Sequence, residues 1–144
     1  MTRDERGLPL STDSAEAAAL FDRAVEHFLK YHADVMTLAS RMLAADPEFV
    51  MGHCFKGYML LAASDPAHWP AIAATLAAAE TGAPVATERE RKHVAALKIR
   101  WRGWWVQSTA RKSGPTQGRL IDDRRQLRSA ERAPQRMAAT WIMS

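Results

Sequence analysis

Between residues 13 and 101 apolar side chains recur at intervals of three and four, the spacing that lines one face of a helix, and the recurrence divides into five segments. The first predicted helix begins after Asp13, whose carboxylate can cap free amides while Glu16 reaches back as in a capping box. Its apolar face is Leu20, Phe21, Val25, Phe28 and Leu29, and a break is expected near His32. A second helix from about Asp34 to Ala45 presents Val35, Leu38, Ala39, Met42 and Leu43, until Asp46-Pro47 interrupts it. Pro47 suits the first turn of a third helix, which carries Phe49, Val50, Cys54, Tyr58 and Leu61 and ends near Ser64. A fourth, alanine-rich helix covers about Ala67 to Glu80, and Thr81-Gly82-Ala83-Pro84 offers a glycine exit and a proline stop. The fifth opens at Thr87 with Glu90 three residues on, a second capping box, and turns Val94, Leu97 and Trp101 inward. Strand signals are nearly absent, so the pattern predicts an all-α fold of antiparallel helical hairpins.

The hairpins invite comparison at a 34-residue offset, the length of a tetratricopeptide helix pair. Met42-Leu43-Ala44-Ala45-Asp46-Pro47 matches the phrase that ends such a repeat, and Gly57 falls where the next repeat places a small residue for helix contact. Arg23 stands at that position one repeat earlier, and Thr81 stands where a further proline is due, so the neighbouring copies depart from the pattern. Three longer phrases, GLPLSTDSAEAAALFDRAV, AADPEFVMGHCFKGYMLLAAS and ATERERKHVAALK, together resemble the N-terminal part of the tetratricopeptide repeat protein 38 family, over residues 7 to about 98. The resemblance implies a tetratricopeptide-like α-solenoid that acts as a non-catalytic scaffold for another protein. Members of that family are longer, so the chain would supply the first part of such a superhelix, with the apolar end available for self-association. No catalytic residue transfers with the resemblance.

Charge changes the picture after Leu97. Residues 1–97 hold 9 Lys and Arg against 13 Asp and Glu, a net −4, whereas residues 98–144 hold 11 against 3, a net +8, so the basic character belongs to the C-terminal segment. There the apolar period fades into Arg, Ser, Gly and Pro, with Leu120–Arg132 as the one stretch that could hold a weak helix. Resemblance, charge and periodicity break together, which points to a reading-frame shift near Lys98 to Trp101. The rival reading is a small nucleic-acid-binding protein that uses this segment, its arginines neutralising phosphates and Trp101, Trp104 and Trp105 stacking on bases. The expected organisation is an N-terminal extension (1–12), a helical domain (13–102) and a basic, low-order tail (103–144). The polar start carries no secretory signal, and Lys56, Asp65 and His68 interrupt the most apolar region before it could span a membrane; the expectation is a cytoplasmic protein.

Candidate chemistry is sparse. Cys54 is the single cysteine, which excludes an intrachain disulfide and a four-thiolate zinc site, and its place on an apolar stripe favours inert packing over nucleophilic use. His27 with His32 and His53 with Cys54 are the nearest metal candidates, but five and one are not the helical spacings of three or four that put two ligands on one face. A pairing of His53 with His93 across adjacent helices is the remaining route to a catalytic site. The alternating Glu88-Arg89-Glu90-Arg91-Lys92 reads as a solvated helix face, with an ion-pair contact to a neighbouring element as the functional alternative. The sequence therefore predicts no catalytic residue, no cofactor and no metal, and a protein as the partner.

Overall fold

The computed structural model describes residues 1–112. Five helices dominate them: α1 (Ala15–Leu29), α2 (Val35–Ala45), α3 (Val50–Ala62), α4 (Trp69–Gly82) and α5 (Glu88–Lys112). Single 3₁₀ turns at Pro66–His68 and Ala83–Val85 bracket α4. The all-α class holds, with one addition: β1 (Thr2–Arg3) and β2 (Pro9–Leu10) pair antiparallel as a minimal hairpin, Thr2 opposite Leu10 and Arg3 opposite Pro9. The chain divides into two units, Met1–Arg102 and Gly103–Ser144. The first twelve residues, expected as an extension, thus belong to the first unit, and Leu10 and Thr12 are almost wholly buried in it.

The helix starts differ from expectation in instructive ways. Ser14, not Asp13, caps α1, its Oγ accepting from the Ala17 amide at 3.1 Å, while the Asp13 carboxylate takes the N-terminal ammonium of Met1. Pro47 does not open α3: Asp46 Oδ1 accepts from the Glu48 amide at 3.0 Å in a turn that delays the helix to Val50. At α5 the capping box is reciprocal, Glu90 N–H donating to Thr87 Oγ1 at 3.2 Å and Thr87 N–H donating to Glu90 Oε2 at 2.8 Å.

α1 packs along α2 and α3 along α4, each against the helix that follows it. Phe21 joins them, meeting the rings of Phe49 and Phe55 edge-on at 6.0 and 6.1 Å, and all three rings are buried. The buried face of α1 is richer in alanine than expected, with Ala17, Ala18 and Ala24 inside; Phe28 is half-buried and Leu29 exposed, because the helix is ending there and its last turn leaves the core. Small residues set the helix spacing. A Cβ on Gly57 would lie 2.7 Å from Leu97 Cδ2, so α5 seats against α3 through the bare backbone of Gly57. Gly82, the expected glycine exit, is the last residue of α4 with φ −79°, and the missing side chain admits Val50, whose Cγ2 would stand 2.5 Å from a Cβ.

α5 also runs past the point where the apolar period fades, so residues 103–112, expected as low-order tail, are helical to Lys112. Of these ten residues only Gln107, Ala110, Arg111 and Lys112 are strong helix formers, so it is continuation of a helix already nucleated upstream, which needs no apolar stripe, that extends α5. The suggested helix at Leu120–Arg132 lies outside the described residues. Gly57→Ala is expected to lower stability by about 1–3 kcal/mol, the range for overpacking a filled contact, read from the midpoint of a urea denaturation curve.

Candidate functional site

The residues singled out for chemistry are placed as follows. Cys54 is buried on the inner side of α3, and burial, then the charge of Glu90, pushes its thiol up to about 12, which keeps it a protonated, inert hydrophobe. Tyr58, one turn on, donates to the His93 carbonyl oxygen at 3.3 Å, and its phenol is raised by desolvation first. His93 sits on α5, where burial, then the Arg89 charge, pushes its imidazole down to about 4; at neutral pH it is uncharged. His53 Nε2 lies 2.7 Å from the Pro47 carbonyl oxygen, a bond within its own turn that fixes the ring locally.

The run at the start of α5 divides into two kinds of group. Glu88 and Lys92 pair at 2.7 Å with both side chains about three-quarters exposed, the solvated face that the spacing predicted. Glu90, in the same run, is 0% exposed, which overturns that reading for its own side chain. Its Oε1 accepts from the Ser11 amide at 3.1 Å and the Ser11 hydroxyl at 2.9 Å, while Oε2 takes the Thr87 amide. Beside it Arg89 Nη1 donates to Asp4 Oδ2 at 2.8 Å, and Asp4 Oδ1 accepts from the Arg6 and Leu8 amides, closing the β1–β2 turn. Thr12 donates to Asp46 at the other end of the same segment. The N-terminal segment therefore laces over the turns between successive helix pairs. Helical periodicity marked Glu90 as a cap residue only; nothing local pairs Ser11 with a residue 79 positions away.

Several surface features remain. The turn between α1 and α2 gathers His27, His32 and Asp34, whose ligand-type atoms all lie within 4.8 Å of one another. His27 Nδ1 and Asp34 Oδ1 are 2.7 Å apart, and the two imidazole centroids 4.5 Å. Spacing had set the pair aside because five residues do not share a face of a continuous helix. Here the helix ends between them: Tyr31 takes φ 57°, its amide reaching Phe28 O and the His32 amide reaching His27 O, a Schellman closure that folds the fifth residue back over the first. The others are apolar. Val85, after α4, and Ile99, on α5, are 80% and 71% exposed, and Trp69 and Trp101 meet edge-on at 6.3 Å.

No family model and no solved structure matches the chain. Among the described residues no helix is long and apolar enough to cross a membrane.

The His93 environment sets a pH dependence. Its folded pKa lies below the ordinary 6.5, so the unfolded chain binds the extra proton between about 4 and 6.5, and stability falls as pH falls through that window. His93→Gln is expected to flatten this part of the stability profile, measured by urea denaturation at a series of pH values; an unchanged slope would show that the ring titrates equally in both states. Glu90→Ala, which strands the Ser11 and Thr87 amides, is expected to cost about 3 kcal/mol, and Ser11→Ala about 1 kcal/mol, in the same assay at pH 7.

Proposed function

We propose that the chain is a non-catalytic, tetratricopeptide-like scaffold of the kind its resemblance to the tetratricopeptide repeat protein 38 family implies, and that it binds a segment of a partner protein. The observation that carries this reading is the contact among alternate helices. Phe21 on α1 meets Phe55 on α3, and Gly57 on α3 receives Leu97 of α5, so the first helices of successive pairs touch one another directly. Stacking of that kind is how helical hairpins extend into a solenoid and build a continuous binding face. The thiol of Cys54 fits the same reading, since burial holds it in the protonated, non-nucleophilic form.

The exposed apolar side chains of Val85, after α4, and Ile99, on α5, are the positions through which copies of the chain would associate. Light scattering on the purified chain is expected to show self-association that Ile99→Glu reduces while leaving helical circular dichroism intact. Peptide display against the immobilised protein is expected to select segments whose binding is lost in Lys56→Glu, a half-buried position on α3. A monodisperse monomer that selects no peptide but is retained on polyanions in a salt-dependent way would replace this reading with the nucleic-acid one.

A further inference from the structure

The α1–α2 turn brings together the donor set of a transition-metal site. His27 closes α1, His32 is the second residue beyond its cap, and Asp34 precedes α2. Two imidazoles and one carboxylate form the mixed nitrogen and oxygen set that suits zinc and its neighbours in the first transition row, and it is a poor set for calcium or magnesium. Their ligand atoms already fall within 4.8 Å of one another, and tetrahedral zinc with bonds of about 2.0–2.2 Å holds its donors about 3.3 Å apart. Rotamer adjustments of about an ångström would bring them to that spacing.

Two features of the turn are not explained by helix termination alone. The position before α2 is one where an aspartate ordinarily caps the helix, yet Asp34 makes no side-chain cap bond; its carboxylate is turned to His27 instead. A Schellman closure ordinarily sets an apolar residue against the last turn, and here that contact is made by one imidazole on another, with the His32 ring exposed. The His27 side chain is only 14% exposed, whereas the Asp34 side chain is 49% exposed and His32 lies at the surface, so an enclosed donor stands beside two that solvent and ions can reach.

We propose that His27, His32 and Asp34 bind a divalent transition-metal ion of the zinc type at this turn, with water completing the coordination. Coordination through His27 Nδ1 displaces the proton now shared with Asp34, which moves to Nε2 or to solvent. The ion clamps the end of α1 to the start of α2, so its effect is to stiffen the first helix pair.

Calorimetric titration of the chelator-stripped full chain with zinc chloride is expected to show a single equivalent bound, and cobalt chloride to give the visible absorption of a nitrogen- and oxygen-ligated ion. His32→Ala and Asp34→Asn, both at exposed positions where the helices survive substitution, are each expected to weaken zinc binding about tenfold or more, since even loss of an outer hydrogen-bond partner costs that much. His68→Ala, outside the turn, leaves the affinity unchanged. Absence of zinc binding, or binding that persists in both His32→Ala and Asp34→Asn, overturns the proposal; circular dichroism of each variant separates loss of a ligand from loss of fold.

Discussion

A carboxyl group without solvent contact governs how the first unit holds together. Glu90 accepts three hydrogen bonds, two from Ser11 and one from Thr87, and in doing so pins the opening turn of α5 to the segment that leads into α1. Burying such a group is costly unless each oxygen is satisfied, and here each is. The Asp4–Arg89 pair repeats the connection a few residues away, again with the carboxylate fully enclosed. Because Thr12 also reaches Asp46 at the end of α2, one short polar segment contacts both places where a helix pair gives way to the next. Apolar burial is non-directional, and this lacing supplies direction where packing supplies proximity.

Packing follows the same economy of side-chain volume. The large rings are gathered at one point, Phe21 against Phe49 and Phe55, and elsewhere the contacts depend on what is missing: no side chain at Gly57 where Leu97 enters, none at Gly82 where Val50 does. Close backbone approach lets short helices bury a useful fraction of their surface, and makes those positions intolerant of added methyl groups. Desolvation raises the Cys54 thiol and lowers the His93 imidazole, in each case favouring the uncharged form that a buried site tolerates.

How much of this was legible in the chain follows from the range of each signal. Local signals read well: helix number, the Thr87–Glu90 capping box, the break near His32, and the inward positions Val35, Leu38, Ala39, Met42, Val94 and Leu97 all depend on residues within a turn or two of one another. Errors arose where two local devices competed. Asp13 and Ser14 were both able to cap α1, and the N-terminal ammonium drew Asp13 away. Asp46 formed its own turn before Pro47 could start a helix. After Leu97 the apolar period fades, yet a helix already nucleated upstream continues to Lys112.

The helices, their order and the small residues between them are written locally in the chain, because periodicity, caps and glycine act over a few neighbouring residues. The roles of the polar groups depend on the folded arrangement. Whether Glu90 faces water or Ser11, whether Asp4 meets Arg89, and whether His27 and His32 diverge along a helix or converge across its end depend on where distant segments come to rest or on a single left-handed residue at Tyr31. Hydrogen bonds and metal ligands require contact within about 3 Å, and contact between residues far apart in sequence is a property of the folded chain.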